Sequence, residues 1–504
     1  MAFGVILKVL TRKAAALLAG FALCTGANMT MMYGIALVPT LGAAGAAIDM
    51  GRAVAVRQRL IEALDAAALA VGSTPGLTTA QMIQKAQEFF NANFPPDALG
   101  TPGTISVTAL EDGSAVMAID ARLDTTFIGI FGIEELQVRA EIAMVPENRA
   151  LEMVLSLDNT GSMGSNGKLE SLKSASKSLV NILFGDNPAP EKMRMGLVPF
   201  SESVRLTTAT AINNGWMDMN GQAPWARLHF DNNKHPFAVW QTMRSSTWGG
   251  CVEARADGHD ELDTAPSVTS PATLFVPFFQ PDEPDSSAYP NYSQNYMSDA
   301  VAGDEMARLR NSAKYVNRRS TRLNQDCNIQ AVMPLTNNKA QILSYLDGMK
   351  AQGYTHIAEG AAWGWRLLSP TAPFTEAVPY DNQEWIKAFV LLSDGENTIP
   401  TRTTALLSDY TAYGYLSEGR LGTTNAAEAA RRQDDKTQRI CTRMKDLGIR
   451  VYTILLEEAG TATVNMMRNC ASSPEAFFPT PTGAELEAAF QQIAADLTNL
   501  RLAK

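Results

Sequence analysis

Histidine is the scarcest reactive side chain here, with four copies in 504 residues, His229, His235, His259 and His356. None stands in H-E-x-x-H or another zinc-binding spacing. The chain also lacks a Gly-x-Ser-x-Gly elbow, a phosphate-binding loop and a dinucleotide fingerprint, so it reads as non-enzymatic. His356 and Glu359 share a helix face, but one imidazole and one carboxylate do not hold a metal, and an outer supporting or surface role is expected for them. Basic charge is scarce too. Lys plus Arg total 42 against 52 Asp plus Glu, a formal charge of -10. No basic patch with interleaved aromatics appears, which argues against a nucleic-acid partner.

The longest gap in charge lies near the N-terminus. Between Lys13 and Asp49 there is no Lys, Arg, Asp, Glu or His, and Met31 to Ile48 is mostly Met, Leu, Ile, Val, Ala and Gly. Such a stretch crosses a bilayer as a helix, with Pro39 as a tolerated kink. Residues 14–48 are therefore assigned to an inner membrane. Lys8, Arg12 and Lys13 at its front edge leave the amino end cytoplasmic and everything after Asp49 periplasmic or extracellular. A cleaved signal peptide is the competing reading, but the uncharged stretch is long and no sharp cleavage site follows a short apolar core. Gly34, Gly42 and Gly45 suit a helix-packing face, or simply a weakly hydrophobic span.

Beyond the span, Val56, Leu60, Leu64 and Ala67 recur at spacings of three and four, with Arg57, Arg59, Glu62 and Asp65 opposite, as in one long helix leaving the membrane. A Pro/Gly break at Ser73–Gly76 precedes a second helix starting at Thr78 or Thr79 and stopping near Pro95-Pro96. Period-two alternation from Ile105, Ala115 and Leu136, with a turn at Glu111-Asp-Gly, then predicts antiparallel strands. A small α+β stalk domain is expected over residues 51–148.

From Ala150 the order becomes strand, helix, strand, which predicts a doubly wound, mostly parallel sheet. Leu169, Leu172, Leu179 and Leu183 give the first helix an inward stripe, with Lys168, Lys173 and Lys177 expected in solvent. Leu486, Phe490, Ile493 and Leu497 mark the last helix. Residues 205–329 interrupt the rhythm with Pro, Asp, Asn, Ser and aromatics, including Trp216, Trp225, Trp240, Trp248 and Tyr289. This insertion is expected on the surface, either carrying binding specificity or burying its aromatics in a satellite core. Pro281 to Ser287 reads as a mobile acidic loop.

The chemistry concentrates at strand ends. Leu151 to Leu157 is an apolar strand running into Asp158-Asn-Thr160-Gly-Ser162. Gly353-Tyr-Thr355 punctuates a loop that opens a helix, and Lys387 to Ser393 is a second apolar strand ending in Asp394-Gly395. Ligands of parallel sheets gather where strands end. Two carboxylates and three hydroxyls supply the oxygen that hard cations prefer.

In that pattern the chain resembles the von Willebrand factor A domain family, whose metal-ion-dependent adhesion site reads D-x-S-x-S, then an isolated Thr, then Asp-Gly. Asp158, Thr160 and Ser162 match the first motif, Thr355 the isolated Thr and Asp394 the last. The departure is Thr160 for the first Ser, a change that keeps a hydroxyl. The resemblance implies a Mg2+ or Mn2+ site, Ca2+ being less suited, with one position left for an acidic side chain of a protein partner. Ala46 to Arg52 and Leu60 to Ala68 resemble the N-terminal segment of TadE/TadG-type Flp (Tad) pilus-assembly proteins. Together they imply an anchor over 1–50, a stalk over 51–148 and an A domain over 149–504. The implied function is a membrane-anchored, extracytoplasmic, metal-dependent protein-binding module in Tad/Flp pilus assembly or surface adhesion. Two alternatives stay open, a metal-independent structural scaffold and an A-domain partner of an AAA+ ATPase.

An exported location allows disulfides. With Cys24 in the apolar stretch, four cysteines remain and allow three pairings. Cys251 with Cys327, bracketing the insertion, and Cys441 with Cys470, around the strand at Val451, are expected, with free buried thiols as the alternative.

Overall fold

The computed structural model describes residues 25–72, 77–95, 99–109, 115–144, 149–285, 294–299, 303–457, 459–480 and 482–502. Lys8, Arg12, Lys13, Cys24, the Ser73–Gly76 break, Pro96, the turn at Glu111, Ser286, Ser287 and Tyr289 lie outside these residues. Asp282 and Glu283 are buried, and Asp282 accepts the N–H groups of Tyr296 and Met297, which corrects the expectation of a mobile acidic loop there. Two compact units are present, one ending at Glu147 and one from Asn148 to Ala503.

In the first unit, helix α1 spans Thr25–Gly72 without a break at Pro39. Its apolar first half leaves Met32, Tyr33, Ile35, Leu37, Val38 and Leu41 exposed, whereas Val56, Leu60, Leu64 and Ala67 are fully buried. The same helix thus changes surroundings midway. Helix α2, Thr79–Asn93, opens on a capping box: the Thr78 hydroxyl accepts the Gln81 N–H, and the Gln81 side chain accepts the Thr78 N–H. That reciprocal pair satisfies two donors the helix leaves open at its start. Strands β1 (Thr101–Pro102), β2 (Ser106–Ala109), β3 (Ala115–Asp124) and β4 (Glu135–Met144) are antiparallel, β3 pairing with β4 on one side and with β1 and β2 on the other. Val56, Leu60 and Leu64 meet Phe90, Met117, Ile119 and Leu123 in one core.

The second unit is a mixed α/β layer structure around an eight-stranded sheet. In spatial order the strands are β12 (Phe477–Thr480), β11 (Arg450–Leu456), β10 (Trp385–Ser393), β5 (Ala150–Asp158), β6 (Met193–Phe200), β7 (Val204–Arg205) and β8 (Cys251–Val252), with β9 (Met333–Thr336) also on β6. The five from β12 to β6 are parallel; β7, β8 and β9 join antiparallel. Every residue of β5 is buried. A strand covered on both faces has no use for alternation, which is why it reads as an apolar run. Helix α3 (Lys168–Phe184) packs with α4 (Lys339–Asp347) and α8 (Gly483–Leu502), whereas α5 (Ile357–Leu368) packs with α6 (Ala426–Asp446) and α6 with α7 (Thr461–Cys470). Leu486, Phe490, Ile493 and Leu497 are fully buried, as their spacing predicts.

The insertion differs from expectation. Trp216, Trp240 and Trp248 lie in the main core with Phe275, Phe279 and Tyr315, in neither a surface patch nor a separate satellite. The reason is topological. The segment supplies β8 at the edge of the sheet, so its rings are drawn onto the scaffold instead of riding over it. Cysteines pair as Cys251–Cys327 and Cys441–Cys470, with Cα atoms 5.8 and 5.1 Å apart.

Candidate functional site

From β5 the chain crosses to β6 on one side of the sheet, and from β10 it crosses to β11 on the other. The loops after β5 and β10 therefore part company, leaving a crevice at the carboxyl ends of two adjacent strands. Leu157 of β5 is level with Leu392 of β10, which brings Asp158 beside Ser393 and one residue short of Asp394.

Four of the five expected side chains are joined by hydrogen bonds. The Thr160 and Ser162 hydroxyls lie 2.9 Å apart, and Ser162 Oγ donates to Asp394 Oδ1 at 2.8 Å. Asp158 Oδ1 accepts the Thr160 N–H at 2.8 Å, and its Oδ2 accepts the Ser393 hydroxyl at 2.7 Å. Thr355 sits on the neighbouring loop, where the Gly353 carbonyl accepts the Gly161 N–H at 3.0 Å and the Thr355 carbonyl accepts the Thr398 N–H at 2.9 Å. Among the described residues, its hydroxyl shares no hydrogen bond with the other four. Asp158, Thr160, Thr355 and Asp394 are buried, and Ser162 is exposed, so the cluster opens to solvent on that side.

Electrostatics gives the crevice its character. Burial and the adjacent Asp394 carboxylate push Asp158 up to about 6, against the hydrogen bonds of Thr160 and Ser393. Two acids held this close favour a cation between or beside them. One cation is built in. Lys168 Nζ donates to Asp394 Oδ2 at 2.5 Å and reaches Glu457 Oε2 at 3.2 Å. Burial opposes the ammonium charge, but Asp394 and Glu457 hold Lys168 above the ordinary lysine value. This corrects the expectation of a solvated Lys168. As the first residue of α3, it turns toward the carboxyl edge of the sheet instead of following the helix's polar face. Glu457, immediately after β11, adopts a left-handed backbone (φ 68°).

His356 departs from the surface alternative. It caps α5 in full burial, and burial lowers it to about 4. Glu359, one turn on, is pushed up to about 7 by burial, against the charge of Arg366. Both are buried, His356 against Tyr413 and Glu359 near Arg366 and Asp260. Sequence reasoning missed Ser393 and Lys168 as members of the crevice. Ser393 had a signal, since it directly precedes Asp394 at a strand end.

The donor set, two carboxylates and three hydroxyls, fits an oxygen-seeking divalent cation. Among the described residues no group of three or more His, Cys, Asp or Glu side chains is arranged for a metal, so any cation here relies on hydroxyl oxygens.

Residues 26–74 match the family model described as putative Flp pilus-assembly TadE/G-like. No curated protein matches the chain. Among solved structures it is similar to the von Willebrand factor domain of the type V pili tip protein Mfa5 from Porphyromonas gingivalis, at 12% identity and TM-score 0.35, covering 71% of this chain and 97% of that one. The pilus adhesin SpaC from Lactobacillus rhamnosus GG gives 12% and 0.34, covering 80% of this chain and 35% of that one. Proximal thread matrix protein 1 from the mussel byssus, in a form with a zinc-occupied metal-ion-dependent adhesion motif, gives 12% and 0.29, covering 71% and 47%. The chain thus carries a TadE/G-like segment at residues 26–74 and a mostly parallel α/β domain behind it, an arrangement consistent with a TadG-like protein.

Proposed function

We propose that the chain is a membrane-anchored, extracytoplasmic protein-binding module of Tad/Flp pilus assembly or surface adhesion, whose binding depends on a divalent cation held by Asp158, Thr160, Ser162, Thr355 and Asp394. One observation carries the reading: two carboxylates and two hydroxyls form a single hydrogen-bonded cluster at the ends of adjacent parallel strands, open on the Ser162 side. When bound, Mg2+ or Mn2+ supplies positive charge and a coordination position for an Asp or Glu of the partner. The chain's own groups do the rest. Ser393 and the Thr160 N–H fix the Asp158 carboxylate, Ser162 fixes one oxygen of Asp394, and Lys168 fixes the other. Support for export comes from the uncharged first half of α1 and from two disulfides, which persist in oxidising compartments. Orientation across an inner membrane and the domain limits 1–50, 51–148 and 149–504 belong to the same proposal.

A second reading is favoured by Lys168, which already neutralises Asp394: a scaffold that binds partners without metal. Affinity capture of pilus components by the wild-type and Asp158→Ala chains, with and without chelator, separates the two. Capture that survives both treatments leaves the scaffold and removes the metal-dependent reading.

A further inference from the structure

Between β3 and β4 the chain runs Thr126-Phe127-Ile-Gly-Ile130-Phe131-Gly-Ile133, with no charged residue before Glu134. Its large apolar side chains face outward. Ile130 is 83% exposed, Phe131 59%, Ile133 48% and Phe127 40%. A soluble domain rarely leaves four such groups together at one tip.

The tip lies against the uncharged half of α1. A Cβ placed on Gly42 would stand 2.7 Å from the Phe131 ring, and one on Gly45 would stand 2.5 Å from Phe127, so these glycines are the seats of the two rings. One turn further, the buried Asp49 carboxylate accepts the N–H groups of Thr126, Phe127 and Ile128 at 3.0, 2.7 and 2.9 Å. Arg52 closes the assembly, bonding Asp49 Oδ1 at 3.2 Å and the Thr126 hydroxyl at 2.5 Å. Inside the loop, Ile130 N–H bonds the Phe127 carbonyl and Gly132 N–H the Gly129 carbonyl. The first charge after the span is thus consumed by protein, and the loop's leading backbone donors are satisfied. Pairing that charge and bonding those donors lowers the cost of setting the loop against lipid, at interface depth where water still reaches the remaining backbone groups.

We propose that the Phe127–Ile133 loop is a second membrane contact, inserted into the bilayer interface beside α1 and fixing the stalk unit against the lipid. The occupant of the apolar tip is lipid because the tip continues the exposed apolar surface of α1, at the level of Gly42 to Ile48, without an intervening charge. Phe and Ile are suited to that depth, and the Asp49–Arg52 pair marks where polar groups resume. The inference rests on the reading of α1 as a membrane span.

The test uses the full chain in nanodiscs of phosphatidylethanolamine and phosphatidylglycerol, with Cys24→Ser and one spin label at a time. Labels go at Ile130→Cys, at Leu41→Cys on the span, and at Val316→Cys, an exposed site in the second unit; the other four cysteines are paired. Collision with oxygen reports lipid, and collision with nickel-EDDA reports water. The Ile130 label is expected to match the Leu41 label, rich in oxygen collisions and poor in nickel collisions. An Ile130 label that matches Val316 places the loop in water and overturns the proposal. Shielding from both reagents means that protein, a partner or second copy, covers the tip, and overturns it equally. Nickel access at Leu41 itself defeats the membrane reading, and this inference with it. Ile130 makes little contact within the fold, so its label leaves the loop intact; circular dichroism and the unchanged Leu41 spectrum verify this.

Discussion

Replacing Lys168 by Met should strengthen divalent-cation binding. The ammonium lies 2.5 Å from an Asp394 oxygen, which puts it roughly 5 Å from any cation held by that carboxylate. A single and a double charge at that separation repel by about 1.7 kcal/mol even at the dielectric constant of water, and by more in a half-buried crevice. Lys168 also reaches Glu457 and keeps that partner when a cation arrives, which limits the gain. The expectation is therefore roughly 1–3 kcal/mol, a dissociation constant about 5-fold to 150-fold tighter. Met preserves the apolar stem, so packing changes little. Without metal the variant should be less stable than wild type, because Asp394 loses its ammonium partner, and saturating Mn2+ should recover the difference. Titration of Mn2+ against wild-type and Lys168→Met chains, following the free-ion signal by electron paramagnetic resonance, measures the shift directly. Equal or weaker binding by a folded variant would refute the argument that Lys168 competes with the cation. Binding by neither chain would instead refute the metal site.

Glu283 carries a pH dependence that can be checked by denaturant unfolding. Burial and the Asp409 carboxylate push it up to about 8 from an ordinary 4.5. The folded chain then holds a proton that the unfolded chain releases, so this contribution is full below about pH 4.5 and lost as pH rises through 8. Glu283→Gln should flatten that slope, by roughly 1–4 kcal/mol across the window. Breaking the Cys251–Cys327 bridge by double Ser substitution should cost roughly 2–4 kcal/mol, since it closes a separation of 76 residues. Thermal unfolding measures that loss, and unchanged stability would mean the bridge does not form in solution. In α5, a Cβ on Gly364 would stand 2.0 Å from Phe389 of β10, so Gly364→Ala should destabilise the second unit by roughly 1–3 kcal/mol. A change under half that size in chemical denaturation would mean the helix can lift off the sheet.

Asp158 and Asp394 were legible because each ends an apolar run, and a buried parallel strand has little other way to be written. The helix start at Thr78 or Thr79 and the stripe from Leu486 to Leu497 were equally plain, being local in sequence. Lys168 was not. A helical wheel ranks a residue against its own helix, but in the first turn the neighbours that matter come from β10 and from the residue after β11. The tryptophans of the insertion were unreadable for a related reason: without periodicity, only the pairing of β8 with β7 shows which core they join. Gly42 and Gly45 could be recognised as small positions of a packing face. What fills them, Phe131 and Phe127, comes from beyond a helix and three strands.

Because α1 passes from its uncharged half into the core of the first unit with no interruption, it acts as a lever without a joint. Forty-eight residues of continuous helix measure roughly 70 Å. With α1 as the proposed membrane span, any tilt it adopts to match bilayer thickness must be copied by Val56, Leu60 and Leu64, and with them by the β strands they hold. On that reading the angle at which the first unit leaves the membrane is set by the lipid, and a thinner bilayer would lean it further over.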